Sequence, residues 1–158
     1  MSFLRYLMLL SLIVWLGGLI FFAFVLAPVA FSVIPTRHMA GTVVGKSLVT
    51  LHWMGIIAGL VYLITSLLYS RLTMGTPHPF AARNILVVLM LVLTLVSQFG
   101  IIPRMDKLRA SIGTIDSVPP DNPARVQFDG LHVWSTRVET GVLLLALVLT
   151  YLTAQQLV

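Results

Sequence analysis

Apolar side chains fill this chain in four long stretches, separated by three shorter polar intervals. No charged residue occurs between Arg5 and Arg37, between Lys46 and Arg71, between Arg83 and Arg104, or from Thr140 to the C-terminus. Each gap is close to the roughly 20 residues an α-helix needs to cross a bilayer. The pattern predicts an all-α, integral membrane four-helix bundle, with spans at about 4–33, 48–70, 83–103 and 137–157. The last helix is expected to start earlier, near Pro123. Asp121 or Asn122 before that proline is a good helix start, because proline at the first helical position gives up no bonded amide. A helix over 123–157 is roughly 50 Å long, more than the hydrocarbon core. Its first turns should therefore project beyond the membrane. One domain over 1–158 accounts for the chain.

Within the spans, small and polar residues fall on stripes. In helix 1, Ser11, Trp15, Gly18 and Phe22 share a face, and Pro28 is tolerable near the helix end. Helix 2 carries His52, Gly55, Gly59, Tyr62 and Ser66 on one stripe. Small residues there let a neighbouring helix approach closely, and the glycine faces of helices 1 and 2 could pair two copies into a homo-oligomer. In helix 3, Thr94 and Gln98 are four apart and share a face.

Composition agrees with a membrane class and removes others. The chain is 58% hydrophobic and 9% charged, against about 25% charged in soluble domains. Its net charge of +5 sits at helix ends, where basic residues set topology and meet lipid phosphates rather than nucleic acid. There is no cysteine, hence no disulfide and no thiolate metal site. The first apolar run is too long for a signal peptide, and cleavage after Ala27 would leave Pro28 beside the scissile bond. Gly41-Thr-Val-Val-Gly45-Lys46-Ser47 looks like a phosphate-binding loop, but it has one residue too few between its glycines and no preceding strand. No nucleotide site is expected.

Four spans put both termini and the second loop on one side. That side holds Arg5, Arg71 and Arg83; the other holds Arg37, Lys46, Arg104, Lys107, Arg109, Arg125 and Arg137. The positive-inside rule places the seven, with loops 1 and 3, in the cytoplasm and both termini outside, in a bacterial inner membrane or its equivalent.

The candidate chemistry lies at the start of the last span. Phe128, His132, Ser135, Glu139 and Val142 fall on one helical stripe, with Arg137 on the opposite side. A carboxylate about one turn inside the apolar stretch needs a proton or a partner. Loops 1 and 3 share a side, so His52, Gln98 and Arg104 should reach a similar depth to His132, Ser135 and Glu139. Together these six predict one polar pocket near the cytoplasmic interface. Such groups can also act only as interhelical glue. His52 and His132 could instead supply two imidazoles to haem, although no acidic cluster or His-x-x-x-His pattern supports a metal. No catalytic residue is expected: His132, Ser135 and Glu139 share a face, but no nucleophile turn or oxyanion hole is evident. His78, between Pro77 and Pro79, should be exposed.

Trp15-Leu-Gly-Gly18, Ala27-Pro28, Phe31, Pro103-x-Met105 and Phe128-x-x-Leu131-His132-x-x-Ser135 resemble the transmembrane-protein-205-like family. Its bacterial members are a small four-helix domain of unknown function. The resemblance runs over essentially the whole chain and implies a four-helix membrane protein, without a substrate or a reaction. Helix 1 is more distantly similar to copper-resistance membrane proteins and to haem-binding protoporphyrinogen oxidases. In the latter a histidine precedes the tryptophan by about two turns, a place held here by Met8. The expected function is a non-enzymatic membrane protein that binds or passes a small solute or ion, without a cofactor. A haem- or metal-binding redox protein and a structural or accessory subunit are the alternatives.

Overall fold

The computed structural model describes residues 2–155. Four helices long and apolar enough to cross a membrane make up the chain: α1 (Ser2–Val33), α2 (Arg37–Met74), α3 (Ala82–Ile112) and α4 (Pro123–Gln155). A short 3-10 turn, Ile115–Ser117, lies between α3 and α4. The protein is an all-α membrane bundle. The last two residues expected in the fourth helix, 156 and 157, fall outside the described residues.

Two helices exceed the spans read from hydropathy. α2 begins at Arg37 rather than near position 48, so the first connection is only residues 34–36. Gly41 to Ser47 is therefore regular helix. Thr36 starts α2 by accepting a hydrogen bond from the Met39 amide at 3.2 Å. The Asp116 carboxylate, arriving from the 3-10 turn, accepts the His38 amide at 3.0 Å. A carboxylate there opposes the positive end of the helix dipole. α3 continues past Pro103 to Ile112, and Gly113 ends it at φ +72°, a left-handed turn that glycine adopts without strain. Asn122 caps α4 by accepting the Ala124 amide at 2.9 Å.

Both interior prolines are preceded by one wide, π-helical turn. Phe22–Leu26 precedes Pro28, and Ser97–Ile101 precedes Pro103, at the same offset. Proline has no amide hydrogen, and its ring clashes with the carbonyl four residues back. An extra residue in the turn relieves that clash. The amides of Ala27 and Ile102 consequently bond five residues back, to Phe22 and Ser97. Such turns often mark functional sites in helices.

The core is fullest in the half of the bundle near the termini and the second loop, and continues to Leu48 and Ile102 beside the first and third loops. Met8, Leu12 and Trp15 of α1 meet Tyr62 of α2, Met90 of α3 and Ala146 and Leu149 of α4. The glycine stripes are used inside the chain. A Cβ on Gly18 would lie 2.5 Å from Met54 Cε. One on Gly55 would lie 2.5 Å from Trp15 Nε1, and one on Gly59 2.7 Å from both Leu91 and Trp15. The faces expected to offer a dimer contact thus seat an indole and its neighbours within one bundle. Close approach of this kind replaces the hydrophobic drive that lipid does not supply.

Candidate functional site

His52 is the centre of a buried three-helix link. The polar stripe of α2 faces inward, and the His52 ring is almost fully enclosed, at 2% exposure. Its Nδ1 lies 2.8 Å from Gln98 Oε1 of α3, and its Nε2 lies 2.6 Å from Glu139 Oε1 of α4. Gln98 belongs to the wide turn before Pro103. Its carbonyl oxygen only accepts, so Nδ1 keeps its proton and donates it. Glu139 is partly exposed, and it lines a cavity on its other side.

That cavity has a volume of about 560 Å³, within the range of small-molecule sites. It lies between the second half of α1 and the first half of α4, with α2 and the end of α3 behind. Beyond its wide turn, α1 packs on α2, and the space between it and α4 stays open. Phe22, Leu48, Ile102 and Leu143 give it an apolar interior. Ala23 and Phe31 of α1 and Val133 and Thr136 of α4 line it while also being exposed on the outside of the bundle, so its mouth opens sideways between these helices.

The loop end of the cavity is cationic. Arg37, Arg109 and Arg125 line it together with Asp129. Arg109 lies against the glycine patch of α2: Nη2 donates to the Gly41 carbonyl at 3.2 Å, and its guanidinium stands 5.3 Å from the Phe128 ring centre. Cβ atoms at Gly41 and Gly45 would both touch that guanidinium. The motif that resembled a phosphate loop is a seat for an arginine. Arg125 donates to the Val118 carbonyl. The Nε atoms of both Arg109 and Arg125 are buried and have no acceptor among the described residues.

Of the six residues expected together, Ser135 and Glu139 line the cavity, and His52 and Gln98 stand directly behind Glu139. His132 lines the wall but is exposed. Arg104 is exposed and lies outside the lining; Arg109, five residues on, takes the place expected for it. Hydropathy alone reads Arg109, Arg125 and Arg37 as topology charges. The signal for Arg109 was the spacing of Ile102, Met105 and Arg109, which continues the inner face of α3 beyond Pro103. Both His52 nitrogens are engaged, one by Gln98 and one by Glu139. Among the described residues, no group of three or more His, Cys, Asp or Glu side chains is placed to hold a metal.

A family model described as a domain of unknown function, DUF4149, matches residues 10–113. The chain belongs to this family. The matched stretch carries α1 to α3, with Trp15, His52, Gln98 and Arg109; α4, with Glu139, lies beyond it. No curated protein and no solved structure matches the chain.

Proposed function

We propose that this membrane protein binds a small solute in the cavity between α1 and α4, with Glu139 as the polar group at its inner wall. The observation that carries the reading is the position of Glu139. It holds His52 with one oxygen and lines an open cavity, whereas a group serving only as glue would be enclosed by its partners. Intramembrane carboxylates are costly and usually functional. The seven basic residues on the loop-1 and loop-3 side favour a cytoplasmic position for the cationic end. The closer kinship with the transmembrane-protein-205-like family is part of this proposal. It rests on the Trp15-to-Gly18 and Phe128-to-Ser135 motifs and adds no substrate.

Native mass spectrometry of protein released gently from its bilayer tests the reading. The wild type should retain an adduct of defined mass, and Ala27→Trp or Thr140→Trp, which fill the cavity, should lose it while remaining folded. A bare protein in every case would overturn the proposal.

One observation favours a second reading, a structural or accessory subunit. His52 ties three helices together through Gln98 and Glu139. On that reading Glu139→Gln changes no ligand, and the partner is a protein that co-purifies with the wild type.

A further inference from the structure

We propose that the solute is a single-chain amphiphile with an anionic head, taken sideways from the surrounding leaflet. This rests on the cavity being a binding site, as argued above, and adds the chemistry of what it takes. Four features carry it. The mouth opens between α1 and α4 along exposed residues within the apolar spans, including Ala23, Phe31 and Thr140, so a lipid-dissolved molecule can enter from the side of the bundle. The interior beyond the mouth is apolar, as an acyl chain requires.

The third feature is charge. The loop end presents three arginines, Arg37, Arg109 and Arg125, beside the Asp129 carboxylate, and Arg109 also stands 3.9 Å from the exposed carboxylate of Asp106. Glu139, deeper in the cavity, is engaged by His52 through one of its oxygens. The fourth is unused hydrogen-bonding capacity. Arg109 and Arg125 each keep a buried Nε–H without an acceptor. Guanidinium forks suit the planar or tetrahedral oxygens of carboxylate and phosphate. The head therefore sits among the arginines, and the chain runs along α1 and α4 toward Leu143. The hydroxyls of Thr136 and Thr140 donate to carbonyls of their own helix, so this wall does not compete for the head.

The test uses the full chain in nanodiscs of dioleoylphosphatidylcholine, with thermal unfolding as the readout. Four probes are titrated: dodecanoate, lauroyl-lysophosphatidylglycerol, dodecanol and inorganic phosphate. Saturable stabilisation by dodecanoate, by the lysolipid, or by both is expected, with none from dodecanol or phosphate. Which of the two acts tells a fatty acid from a lysophospholipid. Arg109→Gln should weaken binding about tenfold or more, the size of a lost charge-assisted hydrogen bond. Should Arg109→Gln fail to fold, Arg37→Gln serves in its place, because Arg37 is exposed and makes no ion pair among the described residues. Equal stabilisation by dodecanol overturns the anionic class while leaving the cavity as a binding site. Stabilisation by phosphate alone overturns the amphiphile. Stabilisation unchanged by the arginine and tryptophan variants means an annular lipid effect and overturns the inference. Absence of any stabilisation overturns it too, and the adduct measurement above then decides separately whether the cavity binds anything.

Discussion

The two ends of this bundle bury similar polar groups and treat them in opposite ways. At the second-loop end, the buried polar groups partner one another. Arg83 Nε donates to Ser66 Oγ at 3.0 Å and Nη2 to Ser70 Oγ at 3.1 Å; Ser66 donates to Asn84 Oδ1 at 2.7 Å, and Asn84 donates to the His78 carbonyl at 2.9 Å. Tyr62 and Thr153 close the same end with a 2.7 Å hydroxyl bond between α2 and α4. His78, expected to be exposed, is exposed in its side chain, while its backbone oxygen anchors Asn84. At the other end, arginines keep unused N–H groups and a carboxylate faces a cavity. A buried polar network that is fully satisfied rigidifies a bundle. One left partly unsatisfied beside open space has capacity for something else.

The largest effect should come from glycine on the closed side. Gly59→Leu drives a side chain into Trp15 and Leu91, where even a Cβ has no room. Overpacking costs about 1–3 kcal/mol or more, and this variant should elute as aggregate in size-exclusion chromatography. Gly41→Ala on the open side meets only ordinary contact at 3.7 Å. It should be neutral or stabilising by up to about 1 kcal/mol, since glycine is the poorer helix former. If both variants behave alike, the two ends do not differ in packing.

Removing Arg83 should come next. Arg83→Met strips the donors from Ser66 and Ser70 and should cost about 1–3 kcal/mol, read as a lowered Tm in detergent. Arg37→Gln, exposed at the rim, should stay within about 0.5 kcal/mol of the wild type. A smaller loss is expected for Tyr62→Phe, which leaves Thr153 Oγ1 without its partner: about 0.6 kcal/mol, the usual worth of a hydrogen bond between membrane helices. No change in Tm would mean that this hydroxyl pair does not hold α2 to α4.

Glu139→Gln sharpens the comparison most and should move stability little. The amide can still bond His52 Nε2, so the loss should stay below the roughly 0.6 kcal/mol of Tyr62→Phe, while the retained adduct is weakened. A drop as large as that of Arg83→Met, with the adduct kept, would make the His52 link another piece of glue and erase the contrast between the ends.

Much of the bundle was legible from one dimension. Hydropathy marked four spans, because a helix that satisfies its own backbone in lipid must be long and apolar. The stripe His52, Gly55, Gly59, Tyr62 and Ser66 was readable because a period of 3.6 fixes which residues share a face, and all five are buried. Where helices end is harder. α2 and α3 run on into polar residues, outside the apolar stretch, and hydropathy is silent there. Their true ends depend on Asp116 reaching the His38 amide and on Gly113 turning left-handed.

The sequence by itself determined the class of this protein, the number of its spans, and the inward faces of His52, Gln98, Ser135 and Glu139. Only the tertiary structure decided that His52 bonds Gln98 and Glu139 together, that Arg109 rather than Arg104 faces the cavity, and that the glycines seat Trp15 within one chain. The reason is physical. Periodicity reports a residue's angle around its own helix, but a pairing between helices also depends on their separation and relative height. Here those are set by a wide turn before each interior proline and by glycines that let α1 and α2 close on one side while α1 and α4 stand apart on the other.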